Sequence, residues 1–325
     1  MTEPLPRGAN FRRAKFLWEI GLNVAGNPDV PYGGDRDICI TVGNGSGDRY
    51  RPALRMATGS PILAHDVVNG GLDMAMVNPC GFLTQAARGV GMFKERLPLR
   101  TVAVYPSWDR FCFMINPKTG IRSLKDIKDR KYPLWVSVKE DPTHSTRVFI
   151  DQALGYYGFS LADIVSWGGR LNVTGAPGDI RRMEPLRAGT LEAIFDEGLV
   201  MTWFDAGLEH GMELIELEPD HFEYLASIGW RKATIEKGRF PHLKHDHVCI
   251  DYGGWPLYAR EDYSEEMVYQ AARSLAARAE QIVWEEPYTG PEMLFTESDV
   301  APFDTPLHAG SARFLRELRS GKSGS

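Results

Sequence analysis

The stretch TGIRSLKDIKDRKYPLWVSVKEDPTHST, residues 119–146, decides the fold. It reads as a turn, a short helix, a buried strand and a hydroxyl-rich loop that opens a long helix. Ser123 with Asp126 forms a capping box in its Asp form, and Leu124 and Ile127 are apolar positions three apart. Residues 134–138 are a strand-like run, after which the chain turns polar. In residues 147–157, Val148, Phe149, Ala153, Leu154 and Tyr157 fall near helical spacing, so Thr143, His144, Ser145 and Thr146 stand at a helix N-terminus. Free amides and the helix dipole favour a carboxylate or phosphate there. One capping hydroxyl would suffice for structure, so three hydroxyls and an imidazole point to ligand contact.

Outward from this stretch the same alternation continues. Strand-like runs at 37–42, 72–77, 100–105 and 111–115 precede it, with helical patterns at 62–69 and 80–87. After it come strand 171–174, helix 179–188, strand 193–195, helix 201–209 and strand 213–217. A helix through Tyr224, strands 247–252 and 255–259, and a helix at 265–282 with Met267, Ala271, Leu275 and Ile282 along one side complete the pattern. Strands alternating with helices predict an α/β protein whose mostly parallel sheets are covered on both faces. At 325 residues the chain exceeds the roughly 250–300 residues at which one core stops growing, so two lobes are expected.

Composition narrows the function. The chain is 43% hydrophobic and 25% charged, as ordinary globular proteins are, and its formal charge of -6 is spread without a long block. Nucleic acid is therefore excluded as the expected partner. No apolar run approaches the ~18 residues that cross a bilayer, so no membrane span is expected. Near the N-terminus Glu19 and Asn23 interrupt what would be the apolar core of an export signal. As written the chain reads as cytoplasmic, and as periplasmic if its start lies upstream. Cys39, Cys80, Cys112 and Cys249 are widely spaced without a CxxC pair, and three lie in apolar runs, which predicts buried thiols rather than a disulfide framework.

Polar residues collect at strand ends. Residues 43–47 form a glycine-rich turn, but a dinucleotide loop would need glycine at 48, where Asp48 stands. Asn44, Ser46 and Gly47 instead lie just past a strand's carboxyl end, where open α/β sheets bind ligands. Asn78, followed by Pro79, stands at the next strand end and serves the helix after it, a ligand, or both. Asp196 and Glu197 end the strand at 193–195; they suit an amine or acid–base work, or are surface charges. His242, His245 and His247 have the wrong spacing for a helical metal pair, and one strand face would hold only the last two, so no metal or other cofactor is expected. No G-x-S-x-G, HExxH or P-loop occurs. Cys80 at a helix start is an activated thiol or a packing one.

Four blocks carry a family resemblance: ITVGNGSGDRY at 40–50, TGSPILAHDVVNGGLDMAMVNP at 58–79, Tyr105-Pro106 followed by TGIRSLKDIKDRKYPLWVSV, and PLHAGSARFLRE at 306–317. Together they resemble the TAXI group of TRAP-transporter solute receptors, members of the type II periplasmic-binding-protein fold. The resemblance covers nearly the whole chain from residue 37. It implies two α/β lobes, one of residues 1–116 with 218–325 and one of 117–217, closing by a hinge motion on a small carboxylate. Its contacts map onto the 43–50 loop with Asn44, Ser46 and Gly47, onto Asn78, and onto Thr143, His144, Ser145 and Thr146. Glu197 and Trp203, after the next strand, are expected at the same cleft. TRAP membrane subunits are the implied partners, and binding without turnover the implied role. Three departures stand out. The chain is short between Tyr50 and Thr58, so the first lobe is expected to lack its usual second strand. Asp141-Pro142-Thr143-His144 replaces a small, glycine-rich loop. The export signal is missing. That absence keeps a cytoplasmic enzyme on the same fold as the alternative, a decarboxylase or desulfinase with His144 or Cys80 as its acid.

Overall fold

The computed structural model describes residues 9–26, 37–44 and 51–321. In chain order the first half contains α1 (Ala9–Gly26), β1 (Cys39–Asn44), β2 (Arg51–Gly59), α2 (Leu63–Val68), β3 (Met74–Val77), α3 (Cys80–Arg88), β4 (Leu99–Tyr105), β5 (Arg110–Ile115), α4 (Leu124–Asp129), β6 (Trp135–Lys139), α5 (Ser145–Gly155) and α6 (Leu161–Ser166). The second half contains β7 (Arg170–Thr174), α7 (Ile180–Arg187), β8 (Ala193–Asp196), α8 (Thr202–Glu209), β9 (Glu213–Leu214), α9 (Pro219–Ser227), β10 (Lys232–Ile235), β11 (His247–Asp251), β12 (Trp255–Arg260), α10 (Glu265–Ala277) and α11 (Ala309–Arg319). No helix among the described residues is long and apolar enough to cross a membrane.

The chain divides into two compact units. The first holds residues up to Leu83, 97–107 and those from Gly254 on; the second holds 84–96 and 108–253. Residues 218–253, which the resemblance groups with the chain ends, pack in the second unit.

In the first unit five strands lie in the order β1-β2-β3-β12-β4. β2 fills the position between β1 and β3, where the sequence reading expects a missing strand; its residues do not alternate and Pro52 masks the signal. Only β2 and β3 pair in parallel, through the crossover helix α2. β12 runs antiparallel to both β3 and β4. Ala103, Ala272, Leu294, Phe295 and Phe314 form one buried cluster under α10 and α11. The close approach of those two helices explains Gly310 in the 306–317 block. A Cβ there would lie 2.3 Å from the Glu265 carbonyl oxygen and 2.6 Å from the Tyr269 amide nitrogen, both backbone atoms of α10. Gly310→Ala is accordingly expected to destabilise the protein by about 1–3 kcal/mol, read as a lower urea midpoint at unchanged slope.

In the second unit the order is β10-β11-β5-β8-β6-β7, with β9 also paired to β5. β6 is parallel to both β7 and β8, as the helices α5, α6 and α7 between them require. β5 is antiparallel to β8, β9 and β11. Both sheets are therefore mixed rather than mostly parallel. β5, β11 and β12 follow loops rather than crossover helices, so nothing forces them parallel.

Around the deciding stretch the local predictions hold. Ser123 Oγ accepts from the Asp126 amide at 3.1 Å, and Asp126 Oδ2 accepts from the Ser123 amide at 3.2 Å, closing the capping box of α4. Leu124 and Ile127 are buried beneath it. α5 starts two residues before the predicted helix, and buries Phe149 against Phe111, Trp230 and Tyr252. The helix predicted over 265–282 ends at Ala277, followed by a 3-10 turn at Ala279–Gln281.

Candidate functional site

The pairing of the second sheet gathers charged residues at one edge. β6 and β8 are parallel, so Lys139 and Asp196 end neighbouring strands together. β5 runs the other way, and its first residue, Arg110, therefore lies at that same edge, with Asp109 just before it. β11 is antiparallel to β5 and brings Asp251, opposite Arg110, with Tyr252 just beyond. Thr174, opposite Lys139, ends β7.

These groups are buried, against the reading of Asp196 and Glu197 as surface charges. Asp196, Arg182, Thr146 and Tyr252 are fully buried, and Asp109, Lys139, Glu197 and Ser145 are each less than 9% exposed. Buried charges persist only when partnered, and each one here has a charged or amide partner, although Asp196 Oδ2 and Arg110 Nε make no hydrogen bond among the described residues. Arg182 Nη2 lies 2.6 Å from Asp196 Oδ2, and the same guanidinium donates to Ser137 Oγ at 2.9 Å, Thr174 Oγ1 at 3.1 Å and the Pro177 carbonyl at 3.2 Å. Lys139 Nζ lies 3.3 Å from Glu197 Oε1 and 4.0 Å from Asp196 Oδ2. Arg110 Nη1 donates to Asp251 Oδ1 at 2.9 Å. Asp109 accepts the amides of Arg110 at 2.7 Å, Gly198 at 2.9 Å and Leu199 at 3.3 Å, which fixes the turn after β8.

Two carboxyls in this cluster are driven apart. Burial, then the neighbouring Glu197 charge, pushes Asp109 well above the ordinary carboxyl range. Burial also opposes ionisation of Glu197, but Lys139, the hydrogen bond to Asp109 and His144 outweigh it and hold Glu197 at about 2. The two carboxyls are thus pushed in opposite directions, Asp109 toward its protonated form and Glu197 toward its ionised one. Burial works against the charge of Lys139, yet Asp196 and Glu197 raise its pKa. His144 is lowered, first by burial and then by Lys139, so it is neutral near pH 7.

The helix start at residues 143–146 is built differently from the sequence expectation. The cap of α5 is the His144 ring, whose Nδ1 accepts the Thr146 amide at 3.2 Å and lies 3.0 Å from Thr146 Oγ1. Thr143 is exposed and donates to Asp141 Oδ1 through both its amide and its hydroxyl. Ser145 stands on the first turn, with its hydroxyl toward that of Tyr252. Trp203 is buried in α8, donating its indole N–H to the carbonyls of Glu197 at 3.0 Å and Gly198 at 3.1 Å. It holds the turn that carries Glu197.

The structure thus brings His144, Ser145, Thr146, Glu197 and Trp203 together in the second unit. Asp109, Lys139, Arg182 and Tyr252 join them; their sequence signal is a charge or hydroxyl flanking an apolar run. The other sequence candidates belong to the first unit or lie outside the described residues. Asn44 ends β1, paired with Arg51, while Ser46 and Gly47 are not among the described residues. Asn78 follows β3 and, with Pro79 after it, precedes α3; the bond between the two is cis. The Asn78 Oδ1 is buried and accepts no hydrogen bond among the described residues. Cys80 is buried with Val104 and Ala301. His242 bonds Asp205 at 2.9 Å, and His247 lies buried in β11. No group of three or more His, Cys, Asp or Glu that could hold a metal occurs among the described residues.

Two mixed α/β units, one with a buried cluster of ion pairs at its strand ends, define the class. The model of the NMT1-like family matches residues 53–318, and the chain belongs to that family. No curated protein matches the chain. Among solved structures it is similar to the alkanesulfonate-binding protein SsuA from Xanthomonas axonopodis pv. citri bound to MOPS, at 14% identity over 69% of this chain and 63% of that chain, with a TM-score of 0.29. It is also similar to the periplasmic aliphatic sulphonate binding protein SsuA from Escherichia coli, at 13% identity over 68% of this chain and 58% of that one, with a TM-score of 0.29. A third is an ABC transporter from Clostridium perfringens ATCC 13124, at 10% identity over 94% and 95% of the two chains and a TM-score of 0.33. The chain spans about three fifths of the length of the two sulfonate-binding proteins.

Proposed function

We propose that this chain is a solute-binding protein that captures a small carboxylate-bearing ligand, in the manner of a TAXI-type receptor for a TRAP transporter. The observation that carries the reading is the convergence of Lys139 and the N-terminus of α5 at one sheet edge. Lys139 is held charged and His144 is neutral; the His144 ring takes the Thr146 amide and its carbonyl those of Arg147 and Val148, which leaves the Ser145 amide at the start of α5 to meet an incoming anion. The ion pairs already balance the site's own charges, so a carboxylate meets fixed donors without requiring rearrangement, which suits reversible capture. Membership of the NMT1-like family and the four blocks that resemble TAXI receptors support the same reading.

A second reading has one observation in its favour. Burial and the Glu197 charge push the Asp109 carboxyl up while Lys139 holds Glu197 down, and two neighbouring carboxyls driven apart in this way suit an acid and a base at one site. A decarboxylase or desulfinase would use such an acid to place a proton on the carbon that loses carbon dioxide or sulfur dioxide. Incubation with a panel of mono- and dicarboxylates, followed by chromatography, separates the two. The receptor reading predicts that a stabilising carboxylate is recovered unchanged, with a thermal shift that grows with its concentration. Consumption of the ligand, abolished in Asp109→Asn or His144→Ala, would replace it with the enzyme reading.

A further inference from the structure

β5 and β11 pair with Asp251 opposite Arg110 and Ile250 opposite Phe111. One residue further, the register sets Cys249 opposite Cys112. The Tyr252 amide donates to the Asp109 carbonyl at 3.1 Å, so those two positions are a hydrogen-bonded pair. Such pairs alternate along an antiparallel ladder, which makes Asp251 with Arg110, and then Cys249 with Cys112, the non-hydrogen-bonded pairs whose side chains stand closest. The Arg110–Asp251 ion pair at 2.9 Å is the first of these. The two thiols are the second. They are buried and share a cluster with Met114, Trp203 and Phe240. The Cα separation typical of such pairs, about 4.5 Å, falls within the range of roughly 4.4–6.8 Å that a disulfide spans. Both thiols are unlinked in this structure.

We propose that Cys112 and Cys249 are a latent cross-strand disulfide site, closed by exchange with a low-molecular-weight disulfide, that pins β11 to β5 directly beneath the Arg110–Asp251 pair. One cysteine thiolate attacks the small disulfide, forming a mixed disulfide and releasing one small thiol. The second cysteine thiolate displaces the other small thiol, forming the Cys112–Cys249 bond. The protein is oxidised by two electrons, the small disulfide is reduced to two thiols, and the cysteine protons leave on those thiols. Burial, then Cys249, pushes the Cys112 thiol up, so exchange is slow until the strand opens. Cys39 and Cys80 belong to the first unit and are not partners in this step.

The test treats the full chain with oxidised glutathione, or with dithiothreitol as control, blocks remaining thiols with N-ethylmaleimide in denaturant, and maps the peptides by mass spectrometry. The expected result is a linked Cys112–Cys249 peptide in the oxidised sample only, with Cys39 and Cys80 blocked. The melting temperature should rise by about 5–10 °C, because the link closes a long loop, and Cys249→Ala and Cys112→Ser should each lose that rise. Blocking of all four cysteines, glutathione on Cys112 or Cys249 without a link, or a link through Cys39 or Cys80 would overturn the proposal.

Discussion

Arg182→Met is expected to lower folding stability by about 3–5 kcal/mol, the largest stability loss of any substitution considered. The guanidinium is fully buried and bonds four groups that have no access to water: Ser137, Thr174, the Pro177 carbonyl and Asp196. Removing it leaves the Asp196 carboxylate buried with the Glu197 amide, which donates to Oδ1 at 3.0 Å, and Lys139, 4.0 Å away and already committed to Glu197. Methionine restores much of the volume but none of the donors. In chemical denaturation the urea midpoint should fall with the slope unchanged, and thermal melting should fall by on the order of 10 °C. The double variant Arg182→Met with Asp196→Leu should recover much of the loss, since apolar replacement of a whole buried ion pair is close to neutral. A single-variant loss below about 1 kcal/mol would mean that Arg182 and Asp196 are solvated.

The second large effect concerns Lys139, which serves both the protein and the proposed ligand. Lys139→Met should weaken carboxylate affinity about 30-fold or more, because losing one partner of a desolvated charge pair costs about 2–5 kcal/mol. It should also change the acid limb of the stability profile. Glu197 has a folded pKa of about 2, against an ordinary value of 4.5. A carboxyl depressed on folding contributes stability that is fully present above its unfolded pKa and lost as pH falls through its folded one. Wild-type protein should therefore lose that contribution as pH falls from about 4.5 to about 2. Without Lys139 the main force holding Glu197 down is gone, and this part of the acid limb should flatten. Lys139→Arg, which keeps the charge, should retain most of the limb while still weakening the ligand. Unchanged affinity in Lys139→Met, measured by calorimetric titration, would remove the lysine from the ligand site.

Much of this architecture is legible from residues 119–146. The Ser123–Asp126 capping box, the buried run ending at Lys139 and the helix carrying Phe149 are local features, set by neighbours in sequence. The strand β10 and the helix α11 are less visible, because Lys232–Ile235 alternates only briefly and the buried face of Ala309–Arg319 starts with Gly310 and Ser311 before its first large apolar residue, Phe314. The site is half legible. Thr143 and His144 stand out as surplus polar residues at a helix start, but which of them caps the helix depends on a ring geometry that spacing does not reveal. Asp109 and Arg182 carry little sequence signal, since each lies far in sequence from the partner that gives it meaning. Asp109 meets Gly198 and Glu197, and Arg182 meets Ser137, only once β5, β6 and β8 pair. The same holds for Cys112 and Cys249, which look like isolated packing thiols until the register of β5 and β11 sets them side by side.

A crystal structure with the most stabilising carboxylate of the panel tests the central claim most directly. The predicted result is the ligand carboxylate seated against the start of α5, within hydrogen-bonding distance of the Ser145 amide or hydroxyl and of Lys139 Nζ. Ligand bound elsewhere, with the Lys139–Glu197 edge unoccupied and unchanged, would contradict it.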